Sequence, residues 1–173
     1  MIYTYNTITK LVMIARPAAL GTLCLLLSAS LPLSAQNRCS LLKVVGGEAN
    51  QTVVSKKVSP PGAFIPVPFV TPKIRNNWNT DFEVPSNVSF TKYIAKIESI
   101  STKKATFSTS MFLKYSNDTA DETYKGDIQL TPGQSTELRA NPRRGEQPYQ
   151  VNLLIGGFNA VGHSYKLSVR GCR

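Results

Sequence analysis

The chain has 173 residues, with 20 Lys or Arg against 10 Asp or Glu, a single histidine and three cysteines. One histidine and no CxxC spacing argue against a redox pair or a zinc-type centre. The basic excess says nothing about fold; it favours anionic surroundings such as envelope polysaccharide, lipid headgroups or nucleic acid.

Residues 1–35 have the layout of a secretory signal peptide. Lys10 and Arg16 are the only charged side chains before Arg38, the apolar run Ala18 to Leu33 follows, and Ala35 closes it. A retained anchor would need about 20 apolar residues, more than Pro17 and Pro32 bracket. Cys24 follows Leu23 and Cys39 follows Arg38, so neither has the small preceding residue that lipidation requires. The expected mature chain starts near Gln36, is secreted or periplasmic, and carries no transmembrane segment. Without Lys10 and Arg16 it keeps 18 basic and 10 acidic side chains, a net charge of about +8. Its two cysteines, Cys39 and Cys172, lie near the two ends, and an oxidising compartment predicts a disulfide between them.

Arg38 to Val45 reads as a short strand or ordered arm, and Gln51 to Val58 as another short strand. Pro60, Pro61, Pro66, Pro68 and Pro72 then make Pro60 to Lys73 an extended connector. Phe64, Ile65, Val67, Phe69 and Val70 make that connector greasy. Residues 36–73 are thus an arm plus connector, and 74–173 the core domain.

From Trp78 the pattern is regular. Trp78, Thr80, Phe82 and Val84 share one parity; so do Tyr93, Ala95 and Ile97, with Ile94 an exception. Ala105, Phe107, Thr109, Met111, Leu113 and Tyr115 form the longest alternation, with Phe112 alone on the other face. Thr123 to Leu130 is a weaker strand interrupted by Gly126. Thr131-Pro132-Gly133-Gln134 has Pro and Gly where a type II turn wants them. Thr136, Leu138 and Ala140 follow. Tyr149, Val151, Leu153 and Ile155, then Tyr165, Leu167 and Val169, read as the two strands of a β-hairpin joined through Gly156-Gly157.

Alternation of this kind gives each strand one apolar face. The fold class expected is all-β: an antiparallel β-sandwich of immunoglobulin-like or jelly-roll type, with about seven to eight strands. A closed barrel is the alternative.

Chemistry-bearing residues are scattered. His163 falls in a turn, with no nucleophile elbow and no evident carboxylate behind it. Asp118, Asp121, Glu122 and Asp127 crowd one stretch and would offer oxygen ligands to calcium, but they match no EF-hand spacing and Lys125 interrupts them; a solvated acidic turn is the expectation. Arg143 and Arg144, with Lys103 and Lys104, are the candidate anion-binding residues, since guanidinium pairs grip carboxylate, sulfate or phosphate. Lys56-Lys57 is a similar basic pair. Trp78, Tyr115 and Tyr124 are the candidate sugar platforms, although Trp78 is in phase with the core. Asn50, Asn87 and Asn117 head glycosylation-type triplets in expected turns.

The function expected is a non-enzymatic binding or structural module of the cell envelope or extracellular space. No cofactor is implied. Its partner would be an anionic envelope polysaccharide or another exported protein. Nucleic acid is disfavoured because most aromatics share the core parity rather than interleaving with the bases. The alternative is a carbohydrate-binding accessory domain. A hydrolase built on Asp81 or Glu83 would need a pocket that so small a sandwich has little room for.

Overall fold

The computed structural model describes residues 38–62 and 76–173. The expected leader, residues 1–35, and the part of the expected connector from residue 63 to residue 73 lie outside them. Ten strands appear: β1 Cys39–Leu41, β2 Lys43–Val44, β3 Val53–Lys57, β4 Asn79–Glu83, β5 Lys92–Ser99, β6 Ala105–Lys114, β7 Ala120–Leu130, β8 Ser135–Ala140, β9 Gln150–Gly156 and β10 Ser164–Cys172. Among the described residues no helix is long and apolar enough to cross a membrane.

The strands form two packed antiparallel sheets, the β-sandwich that the alternation predicts. In the first sheet β10 pairs β5, and β5 pairs β8; β1 and β3 share the other edge of β10. The second sheet has the order β2–β4–β9–β6–β7. The strand count exceeds the seven to eight expected because the arm supplies three short strands: the Arg38–Val45 stretch divides into β1 and β2, and β3 falls where Gln51 to Val58 reads as a strand. Leu42 is where the arm changes sheets: it is buried between β1 and β2, and its N–H donates to Val169 O at 2.8 Å.

The expected terminal hairpin does not form. β9 pairs β4 and β6 in the second sheet, whereas β10 pairs β1, β3 and β5 in the first. The connection between them contains a short 3-10 turn, Phe158–Ala160, and carries the chain across the sandwich. Packed sheets lie about 10 Å apart, twice the spacing of paired strands. Leu153 and Ile155 therefore meet Tyr165, Leu167 and Val169 through the core instead of side by side. The turn at Pro132-Gly133 makes a similar crossing, from β7 to β8. Gly133 has φ 76° and Gln134 N–H bonds to Thr131 O at 3.0 Å, as a type II turn requires.

The core is made by the apolar parity of each strand. Phe82, Phe107, Met111, Leu113 and Val151 come from the second sheet, Tyr93, Ile97, Leu138 and Leu167 from the first. Cys39 and Cys172 face each other in register on β1 and β10 and form a disulfide spanning 133 residues of sequence. The arm is thereby fixed to the last strand.

Candidate functional site

The anion site suggested by the basic pairs is not assembled. Ala140 stands opposite Tyr93, at the start of β5, so the Arg143-Arg144 loop leaves from that end; Lys103 and Lys104 follow the other end of β5, after Ser99. At about 3.3 Å per residue the two ends are roughly 20 Å apart.

Arg143 is moreover engaged within the fold. Its Nε and Nη2 donate to Asp121 Oδ2 and Oδ1 at 2.9 and 2.7 Å. Nη1 donates to Thr119 Oγ1 at 3.0 Å and Glu146 Oε2 at 3.3 Å. Its guanidinium lies 4.0 Å from the centroid of the Tyr115 ring, and its backbone N–H donates to the Tyr115 hydroxyl. A guanidinium so fully bonded is a clasp between the β8–β9 loop and the β6–β7 turn, not a receptor for a second anion. Arg144, beside it, is exposed.

The same clasp rearranges two further expectations. Tyr115 is fully buried under Arg143, so it offers no surface to a sugar ring. Asp121 is committed to Arg143, Glu122 accepts from Ser110 Oγ, and Asp127 accepts from Ser108 Oγ. These carboxylates therefore do not converge, and among the described residues no group of three or more His, Cys, Asp or Glu is placed to hold a metal ion. Tyr124 packs against the core, and Trp78 is half-buried instead of fully inside. Trp78 immediately precedes β4 and rests on Gly156, where any Cβ would drive into the indole. His163 is partly buried, in the turn before β10. Asn50, Asn87 and Asn117 are all exposed. Asp81 accepts from Lys114 Nζ at 3.0 Å and from Asn152 Nδ2 at 2.6 Å, so it too is bonded within the sheet face.

Lys56 is not the exposed partner of Lys57. It lies on the inner parity of β3, and its ammonium donates to Asn77 O, Asn79 O and Thr80 Oγ1 at 3.1, 2.6 and 2.8 Å. Burial lowers its pKa, opposed by the nearby Asp81 charge. This side chain ties the edge of the first sheet to β4 of the second.

What the fold does assemble is a basic sheet face. On the outer side of the first sheet the registers place Lys57 of β3, Lys166 and Arg170 of β10, Lys92 and Lys96 of β5, and Arg139 of β8 on one side. Only Glu98 and Glu137 oppose them there. Glu137 is bridged by Arg170 at 2.7 Å and Arg139 at 3.3 Å, and Lys96 stands 3.6 Å from Glu98. Arg170 and Arg139 flank Ile94 in register, which explains how an outward isoleucine comes to be buried. The outer side of the second sheet is different: Lys43, Lys114 and Lys125 meet Asp81, Glu83, Glu122 and Asp127. Positive charge is thus sorted onto one sheet. Neighbouring strands repeat at about 4.8 Å and same-face residues at about 6.6 Å, so the six cations are spread over four strands, with Ser168, Ile94 and the two carboxylates between them. The individual basic pairs of the sequence do not reveal it; the parity of Lys92, Lys96, Lys166 and Arg170 on their strands does.

Two carboxylates give the fold an acid limit. Arg143 hydrogen bonding holds the Asp121 carboxyl below its ordinary range. Burial pushes Glu137 up, but Arg139 and Arg170 outweigh it and the net shift is downward. A depressed carboxylate contributes stability above its unfolded pKa, near 4, and that contribution is lost as pH falls through the lower folded value. The expected urea midpoint is therefore flat near neutrality and falls below about pH 4. In Arg143→Met the Asp121 share of that fall disappears, so the acid slope is shallower than in the unaltered protein.

No protein-family model matches the sequence, and no curated protein matches it. The fold and the disulfide define a disulfide-closed antiparallel β-sandwich, a bond that fits an oxidising compartment.

Proposed function

We propose that this protein is an exported, non-enzymatic binding module that holds an anionic polysaccharide across the outer face of its first sheet. The leader-like residues 1–35 and the disulfide support export. The observation that carries the binding reading is the sorting of charge: six cations against two carboxylates on one sheet face. Long ammonium and guanidinium side chains on such an array meet carboxylate or sulfate groups repeating along a linear polymer, each contact weak and the sum additive. Among the described residues the outer side of β3, β10, β5 and β8 carries no aromatic ladder, which suits a charged chain lying on it better than a nucleobase stacking into it. Asp81, the carboxylate weighed for a hydrolase, is bonded to Lys114 and Asn152.

The test is retention on immobilised polygalacturonate and dextran sulfate, with neutral dextran as control. Lys96→Glu with Lys166→Glu is expected to weaken binding at least tenfold. Lys103→Glu with Lys104→Glu makes the same charge change off the face and is expected to weaken it little. Binding should also fall steeply between low and physiological salt, as screening of exposed charges requires. Equal losses in the two double variants would reduce the effect to net charge and remove this reading.

A further inference from the structure

The second sheet carries a groove of ≈ 700 Å³ on its outer side, distant in character from the basic face. Its apolar part is Trp78, Phe158, Leu154 and Phe112. Phe158 is 78% exposed and Leu154 37% exposed, large apolar surfaces for which the fold itself has no use. Trp78 and Phe158 meet edge to face, with ring centroids 6.3 Å apart. The Trp78 indole N–H is satisfied by Ser59 O at 2.9 Å, and Gly156 lets the ring lie flat on the backbone, so this aromatic is fixed in place. Beside the apolar strip run two polar pairs at the sheet repeat: Ser108 donates to Asp127 at 2.9 Å and Ser110 to Glu122 at 3.1 Å. The register shift between Met111 and Phe112 lies in the same wall, where a bulge re-aims side chains.

We infer that this groove is a second binding site, and that its occupant is a neutral pyranose chain. A pyranose ring has an apolar C–H face that packs on aromatic planes and an equatorial belt of hydroxyls. Trp78 and Phe158 match the face. Asp127 and Glu122 keep further acceptor capacity for sugar hydroxyl donors, as ionised carboxylates have about four lone-pair sites each. Charge decides the class of sugar. The groove's charged lining is Glu122 and Asp127 with Lys125, which stands 3.8 Å from Glu122, so a net negative charge remains on this side of a basic protein. It repels the uronate or sulfate polymer that the other face would attract. The polar rows equally disfavour an acyl chain, which would leave those groups desolvated without partners. The two sheets would then hold two chemically different polymers at once.

Trp78 is the only tryptophan, so its fluorescence reports the groove directly. Titration with maltohexaose, cellohexaose and N-acetylchitohexaose is expected to shift the emission with at least one of them and to shield the indole from acrylamide. Phe158→Ala, at a largely exposed position, is expected to weaken that sugar at least tenfold and to leave the urea midpoint near that of the unaltered protein. Lys96→Glu with Lys166→Glu should leave it unchanged. Three outcomes overturn the inference: no response to any of the three sugars, a response that survives Phe158→Ala, or an indole already shielded in the free protein. The last would mean that the groove is already covered in the free protein.

Discussion

Reducing the Cys39–Cys172 bond, or replacing both cysteines with serine, is expected to lower stability by up to about 5 kcal/mol. The bond joins residues 133 apart, nearly the whole described chain. In the chain-entropy account a cross-link of that span removes most of its freedom from the unfolded ensemble. Strain and residual unfolded structure usually reduce the gain, so the figure is a ceiling. There is also a local effect. β1 has only three residues and pairs β10 alone, so without the covalent tie it is held by few backbone bonds. Urea unfolding with and without reductant reads the total. Hydrogen exchange at Leu41 and Leu42 reads the arm, and protection there should fall before that of β5. A reduced protein with an unchanged midpoint would mean the tie closes nothing that the sheets do not already hold.

Phe107→Ala is expected to cost about 3–5 kcal/mol, the range for emptying a buried aromatic site. Phe107 is on β6, fully buried, and it meets Tyr165 of β10 edge to face at 5.7 Å between centroids. The pair is a direct contact between the two sheets, so its loss removes packing from both. The surrounding residues cannot collapse into the space without moving a whole strand. Phe112→Ala is the internal comparison. It lies on the same strand and on the other parity, facing the groove, and its cost should be well below that of Phe107→Ala. Similar losses at the two positions would contradict the assignment of faces on which both binding sites depend. The acid midpoint of the Arg143→Met variant tests the clasp separately, because it changes a loop contact and leaves the core intact.

The two proposed surfaces follow from one property of a sandwich. Alternation buries one parity of each strand and leaves the other for solvent, so two sheets present two independent outer faces. In this chain those faces have opposite chemistry. The first sheet carries Lys92, Lys96, Lys166 and Arg170; the second carries Asp81, Glu122 and Asp127 beside Leu154 and Phe112.

Much of this was legible residue by residue. Alternation at Phe107, Met111 and Leu113, or at Tyr165, Leu167 and Val169, is a local code with a period of two, and it pointed to seven strands from Trp78 onward and to the sandwich class; it started β7 at Thr123 instead of Ala120 and put Tyr149, which is exposed, in phase with the core. With a leader expected over residues 1–35, Cys39 and Cys172 were left as each other's partners, and the glycine of Pro132-Gly133 marked a turn. Pairing was not legible, because it is a long-range choice. β9 and β10 look like a hairpin in sequence, and nothing local says that they belong to different sheets. The fate of charge was hidden for the same reason. Arg143 looked available until the fold brought Asp121, Thr119 and Glu146 to it, and Lys56 looked exposed until Asn77 and β4 supplied three oxygens. Neighbours in sequence suggested Arg143-Arg144 and Lys103-Lys104 as a site. Strand register separated those pairs and gathered Lys57, Lys92, Lys166 and Arg139 from four strands, since side chains meet across hydrogen-bonded neighbours and not along the chain.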